Sequence, residues 1–195
     1  MTHRTLKIPG GGILLFVVVA TAAPASLGAS GFEVVINEIH YHPAGGSPTS
    51  NLEYLELHNA GNADVDISGW EFREGIVYQF PSHSVIRAGE YVIVSPDPTA
   101  AASYYQLSHA FGPYAGRLDN GGEVISLVSR DGQIIHRIHY LDEDGWPSLP
   151  DGQGPSLEFT EEDLANDVVW KWLPSVTVGG TPGRENSRRK RTRPA

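Results

Sequence analysis

An all-β antiparallel sandwich of short strands is the fold class that this 195-residue sequence predicts, and three observations carry the prediction. The run 123–140, EVISLVSRDGQIIHRIHY, sets two stretches rich in Val and Ile on either side of Arg130-Asp131-Gly132. An Asp-Gly between such stretches is a strong hairpin signal, because the tight turn needs residues that tolerate positive φ. Turns rich in Gly, Pro, Asn and Asp interrupt the rest of the chain at short intervals, and no stretch sustains a helical period. Short strands closed by such turns bury their apolar faces by stacking as two layers.

The strands follow in order. The first, 32–41 (FEVVINEIHY), places Val35, Asn37 and Ile39 on one face and Ile36, Glu38 and His40 on the other by strict alternation. Asn37 then lies among apolar neighbours, and a buried amide there must be hydrogen-bonded, with the backbone of an adjacent loop the expected partner. Residues 43–50 are a loop by composition. In 52–59 (LEYLELHN), Leu55 and Leu57 share a face with Glu53, while Tyr54 and Glu56 share the other. Asn59-Ala60-Gly61-Asn62 turns the chain into Val65-Asp66-Ile67, and Ser68-Gly69 bends that strand before Trp70-Glu71-Phe72. After Arg73-Glu74-Gly75, 76–80 (IVYQF) runs to Pro81. Val85-Ile86 leads through Arg87-Ala88-Gly89 to 91–94 (YVIV), whose unbroken apolar run suits a strand covered on both faces. The patch 99–106 (TAAASYYQ) has helical propensity and should make a turn or two. Beyond Tyr140 the chain is turn-rich until 156–159 (SLEF), and 169–173 (VWKWL) is a last strand with Trp170 and Trp172 on one face.

The two ends read differently from the body. Arg4 and Lys7 precede an apolar run, 13–23 (ILLFVVVATAA), and small residues follow, with Ala23-Pro24-Ala25 as a cleavage site. That order makes 1–29 a secretory signal peptide with a short linker. The run is well short of the ~20 residues a membrane-spanning helix needs, so no transmembrane segment should remain after cleavage. The protein is therefore expected to be exported to the periplasm, cell surface or exterior. The chain has no cysteine, so the sandwich, 30–187, must hold by burial without disulfides. Between Gly31 and Ser187 lie seven Lys and Arg against all 23 Asp and Glu, a formal charge of −16. A body this acidic repels phosphate backbones, which argues against nucleic acid as its partner. The tail 188–195 is a basic run without apolar residues to bury, and is expected to be disordered.

Taken together, the segments resemble the lamin tail domain, the immunoglobulin-like module of nuclear intermediate-filament proteins that also occurs in secreted bacterial proteins. The resemblance runs from about Val35 to Asn186. It rests on Ile36-Asn37-Glu38-Ile39, Glu53-Tyr54-Leu55-Glu56-Leu57 with Asn59, Asp66-Ile67-Ser68-Gly69-Trp70 and Phe80-Pro81. Ala88-Gly89-Glu90-Tyr91, Gly116-Arg117-Leu118 with Asn120 and Gly122-Glu123, and Trp146-Pro147 continue it. Asp151-Gly152 with Ser156-Leu157-Glu158, and Gly180-Thr181-Pro182-Gly183 with Asn186, complete it. The resemblance implies an immunoglobulin-like sandwich, no catalytic residues, and a role in binding and tethering. With no coiled-coil rod upstream, it does not imply filament assembly.

The chemistry-bearing residues point the same way. Glu38, His40 and His42 recur at alternate positions, but successive heads on a straight strand splay apart, so they read as a solvent-facing polar edge rather than a zinc site. Asp142, Asp144 and Asp151, with Glu143, gather in the turn-rich segment around Gly145 and Gly152. They are the candidate calcium ligands, since hard oxygens on a loop suit that ion, although the spacing is not an EF-hand. No nucleophile elbow, phosphate loop or paired-Cys site is present. Trp70, Trp146, Trp170 and Trp172 could form a platform for a sugar but are expected to fill the core. The sequence thus leads to a non-catalytic exported module, without a cofactor, that binds a protein or cell-envelope partner. A calcium-dependent carbohydrate- or matrix-binding adhesin is the alternative.

Overall fold

A computed structural model describes residues 34–45, 51–160 and 169–188. The expected signal peptide, 1–29, and the expected disordered tail beyond Arg188 lie outside the described residues.

Two five-stranded antiparallel sheets stack face to face. The first holds β1 (Val34–His40), β2 (Tyr54–Asn59), β7 (Tyr91–Val94), β11 (Pro155–Phe159) and β12 (Trp172–Val178), in the order β12-β11-β1-β2-β7. The second holds β4 (Glu71–Arg73), β5 (Ile76–Gln79), β8 (Ala115–Gly116), β9 (Gly122–Val128) and β10 (Ile134–Leu141), in the order β10-β9-β4-β5-β8. A small ribbon pairs β3 (Val65–Asp66) with β6 (Val85–Ile86). The fold is the immunoglobulin-like sandwich expected from the sequence, and the Asp131-Gly132 turn does join β9 to β10. Ile36, Ile39, Leu55, Leu57 and Leu157 of the first sheet meet Phe72, Ile76, Ile125, Leu127 and Ile138 of the second, all fully buried or nearly so.

Strict alternation fails at one place in β1. Ile36 pairs with Leu57 and Glu38 with Glu56, so Asn37 is an extra residue, a β-bulge. The bulge resets the face of everything after it. Ile36 and Ile39 therefore both enter the core, while Glu38 and His40 take the outer face. The expectation that Ile36 shares a face with Glu38 is corrected. Two further corrections concern strand ends. Val65-Asp66 and Glu71–Arg73 are separate strands in different sheets, not one bent strand. Trp170 belongs to a 3-10 turn (Val169–Lys171), so it does not share a strand face with Trp172.

The outer face of the first sheet is covered by a third layer. The helix α1 (Pro98–Tyr105) is capped by Asp97, whose side chain accepts from the Ala100 N–H, and it is two turns long as expected. Ala101 and Ala110, with Tyr105 and Leu107 beside them, close over Tyr54 and Ile93. Beside the helix runs the C-terminal segment 179–188: Gly179 approaches Tyr105, and Gly183 approaches Leu107.

Candidate functional site

The register of three neighbouring strands builds an unusual row. Glu38 on β1 pairs directly with Glu56 on β2 and with Glu158 on β11. Directly opposed side chains of adjacent strands have their Cβ atoms about 4.5–5.5 Å apart, and like charges there repel. All three glutamates are completely buried on the outer face. Each acid interrupts a short, largely apolar stretch: INEI, LEL and SLEF. Glu38 is thus not part of a solvent-facing edge, and the earlier expectation is corrected here.

What buries the row is segment 179–188, and it does so with hydrogen-bond donors. Glu38 Oε1 accepts from the Thr181 N–H (2.9 Å), from the Tyr54 hydroxyl (2.8 Å) and from the Ser156 hydroxyl. Glu56 accepts from the Gly183 N–H and from the Asn37 amide (2.7 Å). Glu158 accepts from the Ser187 N–H and hydroxyl, the Arg188 N–H and the Thr181 hydroxyl, each at 2.9 Å. The bulged Asn37 pairs amide to amide with Asn186, which also donates to the Phe159 carbonyl (2.8 Å). The buried amide therefore finds side chains, an acid and an amide, where loop backbone was expected. Gly180 makes the close approach possible. Its φ is +80°, and a Cβ there would collide with Glu38, Tyr54 and Ser156.

Burial sets the protonation of this row. Loss of water pushes Glu38 up to about 7, against the lowering effect of its hydrogen bonds to Ser156, Thr181 and Tyr54, and neighbouring Glu158 adds to the rise. Glu56 is raised well above the usual carboxylate range, first by burial and then by Glu38. Nearby histidines shift oppositely. Burial lowers His40 to about 4, although the Gly154 carbonyl at 3.2 Å from its Nε2 favours the charged form. His136 is also lowered to about 4, first by burial. Its Nδ1 accepts from the Ile36 N–H (3.0 Å), a bond that ties β10 to β1 and requires that nitrogen to be unprotonated.

The candidate calcium ligands sit elsewhere. Asp151 contacts His42 Nδ1 at 2.6 Å, both side chains partly exposed. Asp142 is half-buried, and Asp144 is exposed in a left-handed backbone conformation (φ 53°). Asp142 and Asp151 both bear on the Tyr41 hydroxyl, which is buried without a hydrogen-bond partner among the described residues. Among the described residues, no group of three or more His, Asp or Glu is disposed to hold a metal ion. Among the described side chains, Trp172 is buried against Phe159, and Trp70 and Trp146 pack on the core, so these three do not gather into an exposed platform. Nor is any described helix long and apolar enough to cross a membrane.

The sequence reading missed the glutamate row, because it treated each strand alone. The signal was present in three strands that each carry a Glu within a largely apolar stretch, followed by a Gly-Thr-Pro-Gly-x-x-Asn-Ser segment. A family model described as Lamin Tail Domain matches residues 28–142, more than half of the chain. Glu38 and Glu56 lie inside the match; Glu158 and segment 179–188 follow it. None of the curated proteins matches the chain.

Proposed function

This chain belongs to the lamin tail domain family, and on that footing we propose that it is a non-catalytic exported module that tethers a protein or cell-envelope partner. The family match carries the reading, since these immunoglobulin-like domains generally mediate interactions. The side-chain chemistry supports it. The buried acids Glu38 and Glu56 are held by the chain's own amides and hydroxyls, an arrangement that serves the fold. Export rests on the N-terminal pattern of a basic start, an apolar run and small residues. The acidic body favours a protein or cationic surface over nucleic acid.

Immobilised protein incubated with envelope extract is expected to enrich a discrete protein saturably, and free chain should displace it. Recovery no different from that on an unrelated β-sandwich would sink the reading. A calcium-dependent carbohydrate- or matrix-binding module is the second reading. One observation favours it: the charges of Asp151 and Asp142 both act, after burial, on the Tyr41 hydroxyl, which is buried without a hydrogen-bond partner among the described residues. Calorimetry that registers no heat, with an unchanged melting temperature at millimolar calcium, removes it.

A further inference from the structure

We propose that a single proton held on the Glu38 carboxyl clasps segment 179–188 to the outer face of the first sheet, and that its loss frees the segment while the sandwich stays folded. The inference concerns how the segment is held and stands apart from what the module binds.

It follows from counting hydrogens. The Tyr54 hydroxyl has one proton and two acceptors within reach, Glu38 Oε1 (2.8 Å) and the Gly179 carbonyl (3.1 Å). The Thr181 hydroxyl is in the same position between Glu38 Oε2 (3.3 Å) and Glu158 Oε1 (2.9 Å). With all three glutamates ionised, both hydroxyls are contested, and one acceptor of each pair goes without. One proton on Glu38 settles a contest. On Oε1 it is donated to the Tyr54 oxygen, whose own proton then turns to the Gly179 carbonyl and binds the segment. On Oε2 it is donated to the Thr181 oxygen, whose proton then belongs to Glu158. Either way the proton adds a bond between sheet and segment and removes one of three like charges set side by side.

Burial raises both Glu38 and Glu56, and geometry places the proton on Glu38: Glu56 faces only donors, the Asn37 amide and the Gly183 N–H, whereas Glu38 faces hydroxyl oxygens that can accept. From β1, His40 has its ring nitrogens engaged by the Gly154 carbonyl and the Tyr105 hydroxyl of α1. Tyr54 and Glu56 come from β2, and Glu158 from β11. The segment's own charged side chains, Arg184, Glu185 and Arg188, are exposed. Burial of Glu38 by the segment agrees with the raised affinity of its carboxyl for a proton. Closing the segment therefore takes up a proton, and the closed state should weaken by about tenfold per pH unit across the interval where open and closed forms differ.

Amide hydrogen exchange on the full chain between pH 5 and 8, corrected for intrinsic rates, reads this directly. Protection at Thr181, Gly183, Ser187 and Arg188 is expected to fall with rising pH, while the β9 amides of Ile125 and Leu127 hold theirs. Glu38→Gln, whose amide both donates and accepts as the protonated acid does, should keep the segment protected throughout. Tyr54→Phe removes the donor to Gly179 and should loosen the segment even at pH 5. Flat protection in the wild type overturns the proposal, as does a fall shared by Ile125 and Leu127. A pH slope left intact in Glu38→Gln, or a Tyr54→Phe segment as protected at pH 5 as the wild type, overturns it equally.

Discussion

Glu38 sits where opposing titrations meet. Its folded-state affinity for protons is raised to about 7, so its contribution to stability is complete below the ordinary glutamate value and is lost as pH rises through 7. His40 and His136, lowered to about 4, work in reverse: their contribution is complete above their ordinary value of 6.5 and is lost as pH falls towards 4. The two slopes overlap between those limits, which flattens the wild-type profile. A difference measurement separates them. The melting temperature of Glu38→Gln minus that of the wild type should rise from pH 4.5 to 8, by an amount equivalent to about 3 kcal/mol at most. A constant difference would show that Glu38 does not titrate in this window. Gly180 offers a second test at this scale. A left-handed backbone and a Cβ collision with Glu38, Tyr54 and Ser156 should make Gly180→Ala destabilising by about 2–4 kcal/mol, read by denaturant unfolding.

Elements were legible where a local rule decides them. The Asp131-Gly132 hairpin, the doubly covered β7 and the two-turn α1 follow from turn chemistry, an apolar run and helix propensity. For α1 the local rule has a measurable weight: Asp97→Ala removes the acceptor for the Ala100 N–H and should cost about 1 kcal/mol in a thermal melt. The bulge at Asn37 was not legible, because it depends on which partners β1 finds, and an amide among apolar residues does not announce an extra residue. The glutamate row was hidden for the same reason. Alternation placed Glu56 on a face of β2 correctly, yet only the alignment of β2, β1 and β11 reveals that three acids meet. Trp172 shows the limit of composition: its burial was expected, but its indole N–H has no partner among the described residues. Trp172→Phe should therefore be far milder than Trp172→Ala, which should cost about 3–5 kcal/mol by chemical denaturation.

At the scale of the molecule, the short segment 179–188 reinforces the sandwich. Residues 179–188 close three buried carboxyls and one buried amide on strands far apart in the chain. Truncation after Val178 is expected to lower the melting temperature by at least about 10 °C, because it strips a network whose disruption is worth several kcal/mol. An unchanged melt would relegate the segment to decoration. The bond between Asn37 and Asn186 spans 149 positions. So distant a pairing means that the first strand stays unfinished until Asn186 has left the ribosome. Contacts this far apart in sequence close at a high entropic cost, so folding of this chain is slow, and a copy in which Asn186 has yet to be made stays open at β1.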